Sequence, residues 1–69
     1  MEFDYSKLLG LIAERGYTRS AVADLIGMTA STFSQKVNNK FSFTQRDMYA
    51  LKVLLNIEDM DAFFFTPKN

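Results

Sequence analysis

Residues 19–38 read RSAVADLIGMTASTFSQKVN. The stretch divides into two short helical segments around Gly27-Met28-Thr29. In the first, 19–26, Thr18 is the expected cap and Gly27 the stop. Val22, Leu25 and Ile26 form its apolar face, with Ala23 beside them. In the second, 30–38, Thr29 is the cap and only Ala30, Phe33 and Val37 look inward. Ser31, Thr32, Ser34 and Gln35 make up the other side. Two helices joined by so short a turn cross steeply, at about 90–120°. That crossing needs a residue at ease with positive φ, which Gly27 supplies. It needs a small residue where the helices approach, and Ala23 fits. It needs apolar side chains pointing back, as Phe33 and Val37 do. A generic helical hairpin has no need of all three at these relative positions. Serine and threonine are weak helix formers because they compete for backbone hydrogen bonds. A helix so polar on one side is held by tertiary contact, and its exposed face is the first place to look for function.

Outward from this unit, residues 4–15 predict a first helix, with Tyr5, Leu8, Leu9 and Ile12 on one face. Asp4 is its expected N-cap, Phe3 a hydrophobic staple onto Leu8, and Gly16 its left-handed stop. Residues 39–43 break the pattern and read as a loop in which Asn39 tolerates a left-handed conformation. Residues 45–55 predict a fourth helix, with Thr44 and Asp47 as a variant capping box and Met48, Leu51, Leu54 and Leu55 facing the core. Residues 58–65 predict a fifth, and Pro67 ends structure near the C-terminus. Three successive aromatics, Phe63, Phe64 and Phe65, cannot all face one core, because helical neighbours are about 100° apart. At least one is expected on the surface, in a frayed tail or against a partner. The fold class expected is all-α, a four-to-five-helix bundle forming one domain over 1–69.

The chain has 69 residues, 48% of them hydrophobic, enough for one core. Cysteine and histidine are absent, which removes disulfides, the usual zinc ligands and the usual general base. There is no glycine-rich phosphate loop, and Glu58, Asp59 and Asp61 lack the spacing of a calcium loop. No catalysis, metal or cofactor is expected. The apolar runs are too short for a bilayer and the N-terminus lacks the pattern of a signal peptide, so the expected location is the cytoplasm.

Net charge is zero, which taken alone speaks against nucleic acid. Its distribution is uneven. Residues 15–46 carry Arg15, Arg19, Lys36, Lys40 and Arg46 against Asp24, a net +4, while 1–14 and 47–69 each carry −2. Phosphates respond to the field within about 10 Å, so a basic middle between acidic ends is compatible with DNA.

Residues 19–38 resemble the helix-turn-helix of the phage Cro/repressor (XRE-type) DNA-binding proteins. Val37-Asn38-Asn39-Lys40 is similar to that family's ending of the recognition helix, with Asn39 where glycine is commoner. The tail from Leu55-Asn56-Ile57 to Phe63-Phe64-Phe65 looks like the ending of small phage-encoded regulators. The resemblance implies a lambda-repressor-like bundle whose third helix faces base edges in the major groove through Ala30, Ser31, Ser34 and Gln35. Gln35 can be bidentate to adenine, whereas Ser31 and Ser34 discriminate poorly alone. It also implies phosphate contacts from Arg19, Thr29, Lys36, Asn38 and Lys40, although the charged ones also suit a merely solvated surface. No Arg or Lys stands among the base readers, so direct guanine readout is not expected and DNA shape gains weight. Family members commonly bind two half-sites about one helical turn apart, which implies a homodimer. Phe63, Phe64 and Phe65 are the expected interface. The function expected is a sequence-specific double-stranded DNA-binding transcriptional regulator, a Cro-like repressor with no small-molecule substrate. The rival is a protein-interaction module, an antirepressor or adaptor, on the same fold.

Overall fold

Short-range hydrogen bonds set the helix boundaries. In a computed structural model describing residues 1–69, the chain forms α1 (Ser6–Glu14), α2 (Arg19–Leu25), α3 (Ala30–Val37), α4 (Gln45–Leu55) and α5 (Met60–Phe64). The expected all-α bundle is therefore present, with five helices. Thr18 accepts from Ala21 N–H at 3.0 Å and Thr29 from Thr32 N–H at 3.1 Å. Thr44 and Asp47 close a reciprocal capping box: Thr44 accepts from Asp47 N–H at 3.1 Å, and the Asp47 carboxylate accepts from Thr44 N–H at 2.9 Å.

The first four helices end alike. Gly16, Gly27, Asn39 and Asn56 adopt positive φ of 82°, 84°, 65° and 54°. The residue after each donates its N–H to a carbonyl five positions back, satisfying the orphan end of the helix. Two of the four positions are glycine, which adopts this conformation without strain. Asn39 carries an additional task described below.

Twelve buried residues make the core, supplied by all five helices and by Tyr5, Phe43 and Ile57 outside them. Phe43 links the aromatic rings of the core, edge-on to Tyr5, Phe33 and Phe64 with ring centroids 5.0, 6.0 and 5.7 Å away. It belongs to the stretch read as a loop, and its burial was not expected from the helical periodicity. The two termini pair as a short ribbon. Phe3 and Pro67 form an antiparallel bridge, with Asp4 N–H donating to Thr66 C=O at 2.8 Å and Lys68 N–H to Glu2 C=O at 3.0 Å. Pro67 thus takes part in structure instead of ending it.

Several local expectations are corrected. The first helix spans 6–14, not 4–15; Asp4 accepts from Ser6 N–H at 2.8 Å just outside it, while its N-cap, Tyr5, makes no side-chain cap. The fifth spans 60–64, not 58–65, because Asp59 caps it through Ala62 N–H. Leu25 is 59% exposed. The core side of α2 is centred on Val22 and Ala23, which are fully buried, and Leu25 lies about 100° round from that centre. No helix is long and apolar enough to cross a membrane.

Candidate functional site

The site begins with how α3 is anchored. Phe33 and Val37 are buried in the core, Phe33 against Phe43, and α3 packs on α2. Ser31, Ser34 and Asn38 recur at i, i+3 and i+7, and all three are exposed. They form a polar stripe about 110° round the helix from the anchor. Gln35 is half-buried at the margin of that stripe, and Ala30 is exposed at the first turn. Of the two roles expected of Ala30, facing inward and contacting a base, its exposure overturns the inward one. Of the four base-facing candidates, Ala30, Ser31 and Ser34 are thus exposed on α3 and Gln35 is half-buried.

The phosphate candidates divide. Arg19 opens α2 exposed, and Lys40 follows the end of α3 exposed. Arg15 and Arg46 are exposed as well. Asn38 is the exposed C-cap of α3. The Thr29 hydroxyl is already engaged twice, accepting from Thr32 N–H and donating to Thr32 Oγ1 at 3.0 Å. Lys36 is the clearest departure. It sits about 200° round α3 from Ser34, on the side that meets α4. There it forms an ion pair with Asp47 in which both side chains are only 12% exposed. Its charge is neutralised inside the fold, so Lys36 is withdrawn from the phosphate set.

Asp47 consequently has two duties, capping α4 and binding Lys36. Burial disfavours its charged form. Hydrogen bonds from Lys36 and Thr44, with the attraction of Lys36, outweigh that and hold its carboxyl below the usual range. Nothing in helical periodicity announces this pair, since it joins two elements across a loop.

The phenylalanine run separates into three environments. Phe64 is 1% exposed in the core against Phe43, so it is not available to a partner, contrary to the interface reading. Phe65 is 44% exposed and meets Phe3 edge-on at 5.7 Å. Phe63 is half-buried, with the Lys7 ammonium 5.9 Å from its ring centroid.

With this geometry in view, residues 1–67 match the model of a family described as protein of unknown function (DUF739), and the chain belongs to that family. No curated protein matches it significantly.

Proposed function

We propose that this DUF739 member is a sequence-specific double-stranded DNA-binding transcriptional regulator, a Cro-like phage or prophage repressor that lays α3 in the major groove. One observation carries the reading: a helix whose buried residues are Phe33 and Val37, and whose Lys36 is tied to Asp47, turns Ser31, Ser34 and Asn38 outward in one stripe. Folding gains nothing from that polar stripe, whereas base edges in a major groove offer it donors and acceptors. The resemblance of residues 19–38 to the Cro/repressor helix-turn-helix supports the same assignment. Ala30, Ser31, Ser34 and Gln35 read bases. Arg19, Lys40 and Asn38 contact phosphate, and Arg15 and Arg46 add to the local positive field. Repression follows from occupying an operator and excluding polymerase.

The test is a mobility shift of random duplex DNA over a salt series, followed by selection from a random duplex library. Binding that weakens linearly with log salt, and a palindromic selected motif, are expected. No shift at low salt overturns the proposal. It would leave the protein-interaction reading, which the exposed Tyr49 and Val53 one turn apart on α4 would serve.

A further inference from the structure

We infer that the groove between α1 and α5 pairs with the same groove of a second copy, with the two α1 helices antiparallel. Lys7, Gly10, Leu11 and Glu14 line one wall, at i, i+3, i+4 and i+7 of α1. Asp59, Ala62 and Phe63 supply the other wall of this open hollow of about 600 Å³.

Two features point to a helix as its occupant, and to this chain as the source. The first is Gly10. Glycine is the poorest helix former after proline. Here it sits in the middle of α1 without positive φ, and a Cβ built on it would meet nothing within 4 Å. The fold of one copy therefore gives no reason for glycine, whereas close approach of a second helix does. The second is charge. Lys7 stands at one end of the groove, and Glu14 and Asp59 line it as well. Neither Lys7 nor Glu14 is in an ion pair within the chain, whose pairs are Lys36–Asp47 and Lys68–Glu2.

A two-fold axis makes Lys7 and Glu14 complementary, while the Asp59 carboxylate is already engaged capping α5. The midpoint between positions 7 and 14 falls between Gly10 and Leu11. Two antiparallel α1 helices crossing there bring each Lys7 to the other's Glu14, with glycine at the closest approach. An isologous interface requires such self-complementarity. Leu11 and Phe63, both half-buried in one copy, supply its apolar contact. Of the three phenylalanines expected at an interface, this retains Phe63 alone.

Sedimentation of the full chain without DNA, over a concentration series reaching the millimolar range, tests the inference. The natural chain should pass from monomer to dimer. Lys7→Glu and Glu14→Lys should each weaken association at least about tenfold, because each sets like charges face to face twice. An equimolar mixture of the two variants should dimerise again, as should the double variant Lys7→Glu/Glu14→Lys, which separates the charge effect from misfolding. Gly10→Leu should stay monomeric with an unchanged circular dichroism spectrum. A natural chain that remains monomeric, single reversals that leave the mass unchanged, or a mixture that fails to restore association overturns the pairing. With no duplex present, failure here is distinct from failure of DNA binding.

Discussion

Asn39 closes a two-bond clasp on Phe3, 36 positions away in sequence: its Oδ1 accepts from Phe3 N–H at 2.9 Å and its Nδ2 donates to Phe3 C=O at 2.9 Å. The side-chain amide pairs with Phe3 as a neighbouring strand would. The other edge of this segment pairs with 66–68, so both edges are occupied. The outer edge of the partner segment presents Pro67, which has no N–H to offer. The clasp ties the turn after α3 to both termini. It also accounts for asparagine at a left-handed position that glycine would fill more easily.

Asn39→Gly keeps the left-handed turn and deletes both bonds, leaving the Phe3 backbone groups to water. Each bond contributes about 1 kcal/mol, so a loss of about 1–2 kcal/mol is expected. For a domain this size that is a fall of roughly 4–8 °C in Tm per kcal/mol. Asn39→Ala should fall further, because alanine at φ 65° adds strain. Thermal melts of the two variants check the order; an unchanged Asn39→Gly melt would show that the clasp contributes nothing.

Asp47 makes the fold sensitive to acid. Its folded carboxyl titrates below the ordinary value of 3.8. Its stabilisation is therefore complete above that value and is lost as pH falls through the lowered folded one. Asp4, held low by hydrogen bonding from Ser6, acts in the same direction. Urea melts between neutral pH and strong acid should show a steeper loss for the natural chain than for Asp47→Asn. At neutral pH the variant should be less stable by about 1.5 kcal/mol, the scale of a hydrogen bond to a charged group.

Phe64→Ala removes a ring from the core beside Phe43 and should cost about 3–5 kcal/mol. Against a total of about 5–15 kcal/mol that largely unfolds so small a chain. Phe65→Ala touches a half-exposed ring and should cost under about 1 kcal/mol. Equal losses in chemical denaturation would contradict the division of the phenylalanine run.

DNA-binding variants should sort by position. Arg19→Ala should weaken binding to all sequences alike and lower the salt slope by about one. Gln35→Ala should relax specificity, at a cost of about 1–3 kcal/mol on the preferred site. Lys36→Ala should lower Tm and leave the salt slope unchanged, because its charge is already matched by Asp47. A slope that drops with Lys36→Ala would return that residue to the phosphate set.

The local rules were legible in the sequence because their causes are local. Thr18, Thr29 and Thr44 cap within three residues, the Thr44–Asp47 box closes over the same span, and Gly16, Gly27, Asn39 and Asn56 reverse the backbone in place. Helical periodicity places Ser31 and Ser34 outward in the same way, whereas Thr32 and Gln35, expected on the same side, are half-buried. What only the tertiary structure decided are encounters between distant segments. Helical spacing indicated that three adjacent phenylalanines must diverge; the packing of α5 chose Phe64 as the one buried. The burial of Phe43, the pairing of Lys36 with Asp47 and the clasp of Asn39 on Phe3 depend on how whole helices dock. Docking is set by shape and desolvation summed over many side chains, a quantity that no short window of residues contains.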